Sequence, residues 1–227
     1  VLGGAHKGFT APSNSPNVNE ETAINYELGF RYQNDALSTE LIGFMSDYDN
    51  ILGECTASSG SDCTIGDAFN GDAATVTGLE LLVRANLARG SSYKIPVSLS
   101  YTLIHGEFDS DIADTDFFGS VSKGDPLPYL PENQFLVSVG FEKNNWAAYV
   151  SGNYVDEVCV RASCGAFEKT DDTFTVDISA NYQFNRALNV YARVENLTSE
   201  EDILGRQPYG ARPNKDRTVT VGVRFNF

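Results

Sequence analysis

No stretch of this 227-residue sequence approaches the roughly eighteen consecutive apolar residues that a membrane-spanning helix requires. That absence leaves membrane barrels open, because a barrel strand hides its apolar residues at every second position. Histidine occurs only at His6 and His105. A hydrolase working through His beside Asp or Ser has little to build on, since His105 is in phase with Tyr101 and Leu103 on an apolar side. Basic residues are few: 16 Lys and Arg against 31 Asp and Glu give a formal net charge of -15. This balance argues against nucleic acid and anionic membrane surfaces as partners. No basic n-region or cleavage site follows Val1, so any signal peptide is expected to lie outside the sequence shown.

What the chain has instead is alternation. In 217–227, Val219, Val221, Val223, Phe225 and Phe227 make one apolar face, and Thr218, Thr220, Gly222, Arg224 and Asn226 the other. Period-two patterning of this kind is a β-strand with one greasy and one polar side. Its length suits a tilted strand crossing a bilayer core, which takes about 9–11 residues. In a membrane barrel the apolar face meets lipid and the polar face lines the lumen, and a chain stopping on a terminal Phe favours that arrangement. The same alternation recurs at 24–32, 79–87, 97–103, 134–142, 172–184 and 188–195. With 146–155, the short Gly-rich 1–9, and 37–50, which chooses no face clearly, the expectation is ten strands.

The connections are as informative as the strands. Four are tight, at Asn34-Asp35, 89–93, Asn144-Asn145 and Asn185-Arg186, all with turn-forming residues. Between them lie long polar connections near 10–21, 50–73, 107–128, 157–171 and 198–216. Strict alternation of short and long has no reason in a soluble sandwich; a bacterial outer-membrane barrel has it, with short periplasmic turns and long extracellular loops. If Phe227 ends on the periplasmic side, all five long connections are extracellular. They also hold most of the carboxylates, and such acidic loops can meet the divalent cations that bridge lipopolysaccharide. The run from Asp109 to Asp116 invites a calcium reading but lacks the Gly and closing Glu of an EF-hand loop.

Four cysteines form two close pairs, Cys55 with Cys63 and Cys159 with Cys164, each inside a long connection. Four cysteines allow three connectivities, and sequence proximity favours two bridges within their own loops. Such bridges belong to an oxidising compartment. A metal site is not supported, because no His lies near either pair and the pairs sit on separate loops.

The residues also resemble a family. Val194-Glu-Asn-Leu197, a loop rich in Gly, Tyr and Pro, then Arg217-Thr-Val and a terminal Phe resemble the end of TonB-dependent outer-membrane receptors. His6-Lys-Gly-Phe-Thr-Ala-Pro12 and Tyr26-Glu-Leu-Gly-Phe-Arg31 resemble the mid-barrel wording of the same family, with Gly4-Ala-His-Lys-Gly-Phe9 closest to ferric-citrate-type receptors. Thr77-Gly-Leu-Glu80 and 44–50 fall where the family has comparable wording. The resemblance implies an all-β, antiparallel up-and-down transmembrane barrel of 22 strands around a plug. This chain, 1–227, would be about ten C-terminal strands of it, lacking the plug and the N-terminal strands.

The function so implied is TonB-energised uptake of a ferric siderophore or ferric citrate across the outer membrane of a Gram-negative bacterium. The implied partners are the ferric chelate, TonB acting through the missing N-terminal part, and outer-membrane lipid and lipopolysaccharide. No catalytic residue, cofactor or metal is expected. For a carboxylate-rich chelate, guanidinium and phenol groups suit the task; the candidates are Arg206, Tyr209, Arg212 and Lys215 in the last long loop, and Arg161 between the second cysteine pair. Arg31, Arg84, Arg193 and Arg224 are expected in wall networks with Glu27, Glu80 and Glu195. A passive porin or channel is the first alternative, a ten-strand outer-membrane hydrolase or a soluble sandwich the others.

Overall fold

The computed structural model describes residues 1–12, 18–56, 64–88, 91–115, 119–162, 164–207 and 209–225. Its sixteen strands, β1 to β16 in chain order, include ten that form one antiparallel sheet in the order β1-β2-β3-β6-β7-β10-β11-β12-β13-β16. These are β1 (Leu2–Thr10), β2 (Glu21–Gln33), β3 (Leu37–Asp49), β6 (Ala74–Asn86), β7 (Pro96–Phe108), β10 (Asn133–Lys143), β11 (Trp146–Val155), β12 (Thr173–Gln183), β13 (Leu188–Glu195) and β16 (Thr218–Phe225). Ten wall strands are the number the alternation called for. Three further two-stranded ribbons stand in the long loops: β4 (Leu52–Glu54) with β5 (Ala68–Asn70), β8 (Ile112–Thr115) with β9 (Gly119–Val121), and β14 (Ile203–Gly205) with β15 (Arg212–Pro213). The expected terminal Phe227 lies outside the described residues.

Cross-strand partners share a face, so the registers extend each strand's alternation across the wall. Leu188, Val190, Ala192 and Val194 stand opposite Phe225, Val223, Val221 and Val219. Phe135, Val137 and Val139 meet Tyr101, Leu99 and Val97 on one side and Tyr154, Gly152 and Val150 on the other. The apolar face remains open, with Val221 71% and Leu28 68% exposed. The registers also resolve β3. Leu37, Leu41, Gly43 and Met45 pair with Ala85, Leu81, Leu79 and Thr77 on the apolar face, which puts Ile42, Phe44 and Tyr48 on the polar one.

Aromatic rings gather at both ends of the apolar face. Toward the short turns, Trp146 and Tyr182 lie 4.6 Å apart, Tyr182 meets Phe184 edge-on at 4.6 Å, and Phe141 meets Tyr93 at 5.7 Å. Toward the long loops, Phe135 stacks on Tyr154 at 5.1 Å and meets Phe174 at 6.2 Å. Trp146 and Tyr154 are separated along one strand by roughly 26 Å before tilt. Two aromatic girdles flanking an apolar band are how a transmembrane barrel meets its two interfaces.

The short turns close with side-chain caps. Asn34 Oδ1 accepts from the backbone N–H of Ala36 (2.9 Å) and Leu37 (2.8 Å), and Asn185 Oδ1 does the same for Ala187 (2.9 Å) and Leu188 (3.0 Å). Asn144 takes the left-handed conformation, φ 51°, that a two-residue hairpin demands.

On the polar face, bulky rings lie across glycines of the next strand. Phe44 covers Gly78, where a Cβ would come within 2.4 Å of the ring, and Tyr191 covers Gly222 in the same way. Ion pairs cross the same face. Arg193 reaches Asp177 and Glu195, both at 3.2 Å, as expected for Glu195. Arg31 binds Glu40 rather than Glu27. The register explains this: Glu40 stands directly opposite Arg31, whereas Glu27 lies four positions away on the same strand.

Candidate functional site

Because both faces of the wall are open, the dry part of this chain is at the long-loop end. Phe108 and Ala74, partners at the ends of β7 and β6, are fully buried with Val121 and Ala162, and Ile51, Phe69, Ile112 and Leu127 pack around them. Loops 50–73, 109–132 and 156–172 thus share one small apolar core. Burying Phe108 alone stabilises the assembly by roughly 1.5–3 kcal/mol. The extracellular-type loops form a packed cap.

Hydrogen bonds tie the cap together. Tyr129 N–H donates to the Cys159 carbonyl at 2.8 Å, and the Gln207 N–H donates to the Tyr129 hydroxyl at 3.0 Å. Tyr129 holds φ 58°, a conformation that a bulky residue adopts only where its surroundings impose it. Asp171 N–H donates to the Ile203 carbonyl at 2.9 Å, Ile203 N–H returns to Asp171 Oδ2 at 2.7 Å, and the Thr173 hydroxyl donates to Asp202 Oδ2 at 2.6 Å. Leu52 N–H donates to Glu21 Oε2 at 2.9 Å, fastening loop 50–73 to β2.

Beneath the cap opens a cavity of about 540 Å³. Tyr48 of β3 and Val76 of β6 supply its wall on the polar face, and Ile51, Leu52, Thr56, Leu127, Pro128, Tyr129, Leu130, Val160 and Gln207 come down from the loops. Glu21 is its one charged lining residue among those described. Sequence reasoning did not reach this cavity. Most of its apolar residues sit in connections with no periodicity, so no pattern marks them.

The candidate cations from sequence have acceptors within the chain. The Arg206 guanidinium donates to the Lys169 carbonyl, Arg212 Nη2 donates to the Gln207 carbonyl at 2.9 Å, and Lys215 Nζ pairs with Glu195 at 2.8 Å. Arg161 faces Glu168 at 3.9 Å. Tyr209 stands free at the surface, 83% exposed. The structure therefore brings Arg206, Arg212 and Lys215 into one loop but directs each to a different neighbour. Cys159 and Cys164 form a disulfide with Cα atoms 5.1 Å apart. Cys55 is buried and disulfide-bonded; its expected pairing falls on Cys63, outside the described residues.

Beside this cap, Asp156 follows β11 and accepts three hydrogen bonds: from Tyr154 hydroxyl at 2.6 Å, Asn133 N–H at 2.8 Å and Asn133 Nδ2 at 2.7 Å. Burial pushes its carboxyl up, and these donors together outweigh burial and hold it below the ordinary carboxylate value. In the acidic run, Asp109 accepts the Thr75 hydroxyl at 2.8 Å and Asp111 accepts Lys123 N–H at 2.8 Å. Among the described residues no three His, Cys, Asp or Glu side chains converge as a metal site would need, and Asp116 lies outside them.

A twisted antiparallel wall with an apolar outer face, aromatic girdles, short turns at one end and a loop cap at the other defines an arc of a transmembrane β-barrel. The sequence profile described as TonB dependent receptor-like, beta-barrel matches residues 2–197. The chain belongs to this family of TonB-dependent receptor barrels, whose members are outer-membrane transport receptors and not enzymes. Among solved structures it is similar to the ferric yersiniabactin uptake receptor FyuA from Yersinia pestis, with TM-score 0.74 and 20% identity over 98% of this chain and 34% of that one. The copper transporter OprC is similar with TM-score 0.69 and 18% identity over 95% and 33%. The unliganded ferric citrate transporter FecA gives TM-score 0.70 and 19% identity over 90% and 31%. The chain spans about a third of the length of these structures. No curated protein matches it in sequence.

Proposed function

We propose that this chain is the C-terminal part of a 22-stranded receptor that takes up a ferric siderophore or ferric citrate across the outer membrane, driven by TonB through a plug not contained in the chain. The observation that carries this reading is the loop cap: long loops from across a receptor-family wall pack together over a cavity on the polar face, the side such a barrel turns to its lumen. The names of FyuA and FecA, both ferric-chelate proteins, point the same way, and OprC keeps a copper ligand in view. Outer-membrane lipid and lipopolysaccharide are the partners of the apolar face and its girdles.

In this reading Tyr209 meets the arriving chelate at the rim, while Arg161, Arg206, Arg212 and Lys215 act by holding the loops in place. The test is accumulation of radiolabelled ferric chelates by iron-starved cells expressing the full-length receptor. Uptake abolished by a protonophore and by loss of TonB supports the proposal; uptake indifferent to both makes the protein a passive channel.

A further inference from the structure

We propose that the cavity under the loop cap takes the apolar face, aryl or alkyl, of a metal chelate that carries no net negative charge, in preference to a carboxylate-rich chelate; this rests on the transport reading above. The volume of about 540 Å³ falls in the range of small-molecule sites, which are mostly apolar with a few placed polar groups. Ile51, Leu52, Val76, Leu127, Leu130 and Val160 supply apolar walls from both the strands and the loops, and the rings of Tyr48 and Tyr129 add flat aromatic surface.

Charge decides the ligand class. No Lys or Arg is among the described lining residues, and the one charged group is the Glu21 carboxylate. Its two oxygens accept from Leu52 N–H at 2.9 Å and the Thr10 hydroxyl at 3.3 Å. An anionic chelate placed here gives up hydration with no cation to replace it and faces a like charge. Of the cations in the neighbouring loop, Arg206 is held on the Lys169 carbonyl and Lys215 on Glu195, and Arg212 is tied to the backbone carbonyl of Gln207 without being a lining residue itself. The Tyr48 hydroxyl has no hydrogen-bond partner among the described residues and is a polar handle to orient a ligand.

Three probes separate the possibilities on the purified full-length receptor: the neutral, substitution-inert chromium(III) tris(benzohydroxamate), its acetohydroxamate counterpart with the same metal core but no rings, and ferric citrate. The aryl complex is expected to bind at least tenfold more tightly than either of the others. Val76→Asp is expected to remove that advantage and Tyr48→Ala to reduce it several-fold, with barrel folding verified by heat-modifiable migration in gels. Ferric citrate binding as well as the aryl complex, or aryl binding unmoved by Val76→Asp in a folded barrel, overturns the assignment. The two readings fail separately. TonB-dependent uptake of ferric citrate without aryl binding overturns the cavity assignment and leaves transport standing; aryl binding sensitive to Val76→Asp, without energised uptake of any chelate, does the reverse.

Discussion

Gln207 and Tyr129, 78 residues apart, hold each other across the mouth of the cavity: the Gln207 N–H donates to the Tyr129 hydroxyl at 3.0 Å, and that hydroxyl lies 3.3 Å from the Gln207 carbonyl. One phenol oxygen therefore joins two long loops, while the Tyr129 backbone N–H joins a third part of the cap through Cys159. Removing that oxygen tests whether the cap is one body. Tyr129→Phe is expected to cost about 0.5–1.5 kcal/mol locally, seen as faster amide exchange in 203–207 with the wall strands unchanged. Equal exchange in both proteins would show that the loops are fixed by their apolar contacts alone.

The glycine under Phe44 makes a second test. At Gly78 a Cβ would meet the Phe44 ring within 2.4 Å and the Leu103 carbonyl oxygen, a backbone atom, at 2.7 Å. The ring can turn but the carbonyl belongs to the sheet. Gly78→Val is expected to destabilise the barrel by about 1–3 kcal/mol through overpacking, lowering the midpoint of thermal unfolding, whereas Gly43→Ala, whose Cβ would meet nothing nearer than 3.9 Å, leaves it in place.

Asp156 gives a pH dependence with a definite sign. Its folded carboxyl is held below its ordinary value, so the unfolded state binds the proton more readily. The contribution is fully present above the unfolded value of about 3.9 and disappears as pH falls through the folded one. Amide protection around Asn133 and Asp156 should therefore decline as pH is lowered beneath about 4. Asp156→Asn should flatten that dependence; an unchanged profile in the variant would assign it to other carboxylates.

Non-reducing peptide mapping should recover the Cys159–Cys164 link, and also a Cys55–Cys63 link for the first pair. A link between the two loops overturns the second expectation. A bridge across so short a loop constrains the unfolded chain by about 2 kcal/mol in the entropy model. Replacing Cys159 and Cys164 by Ser is expected to loosen Val160 and Ala162, both buried in the cap, and so to raise exchange in 156–172 without preventing insertion of the wall.

The wall was written in the sequence because lipid on one side and lumen on the other impose a two-residue period that each strand must carry by itself. Hence the ten strands, the tight turns at 34–35, 144–145 and 185–186 and the outward faces of Val219, Val221 and Val223 could be read from residue order, whereas the connection expected to turn at 89–93 joins β6 to β7 over 87–95, with 89–90 outside the described residues. Strand 37–49 could not be, since Leu41 and Ile42, like Phe44 and Met45, are apolar neighbours; only the register against β6 put Leu41 and Met45 on one side and Phe44 on the other. The partner of Arg31 likewise depended on which residue of β3 came to stand opposite it. The cap and its cavity were decided by tertiary structure alone. Val121, Tyr129, Val160 and Gln207 come from loops without periodicity, and the contact of Tyr129 with Gln207 links residues 78 positions apart. A repeating environment leaves its mark on a local pattern, whereas a single packed cluster of distant loops leaves none until the strands beneath have brought those loops together.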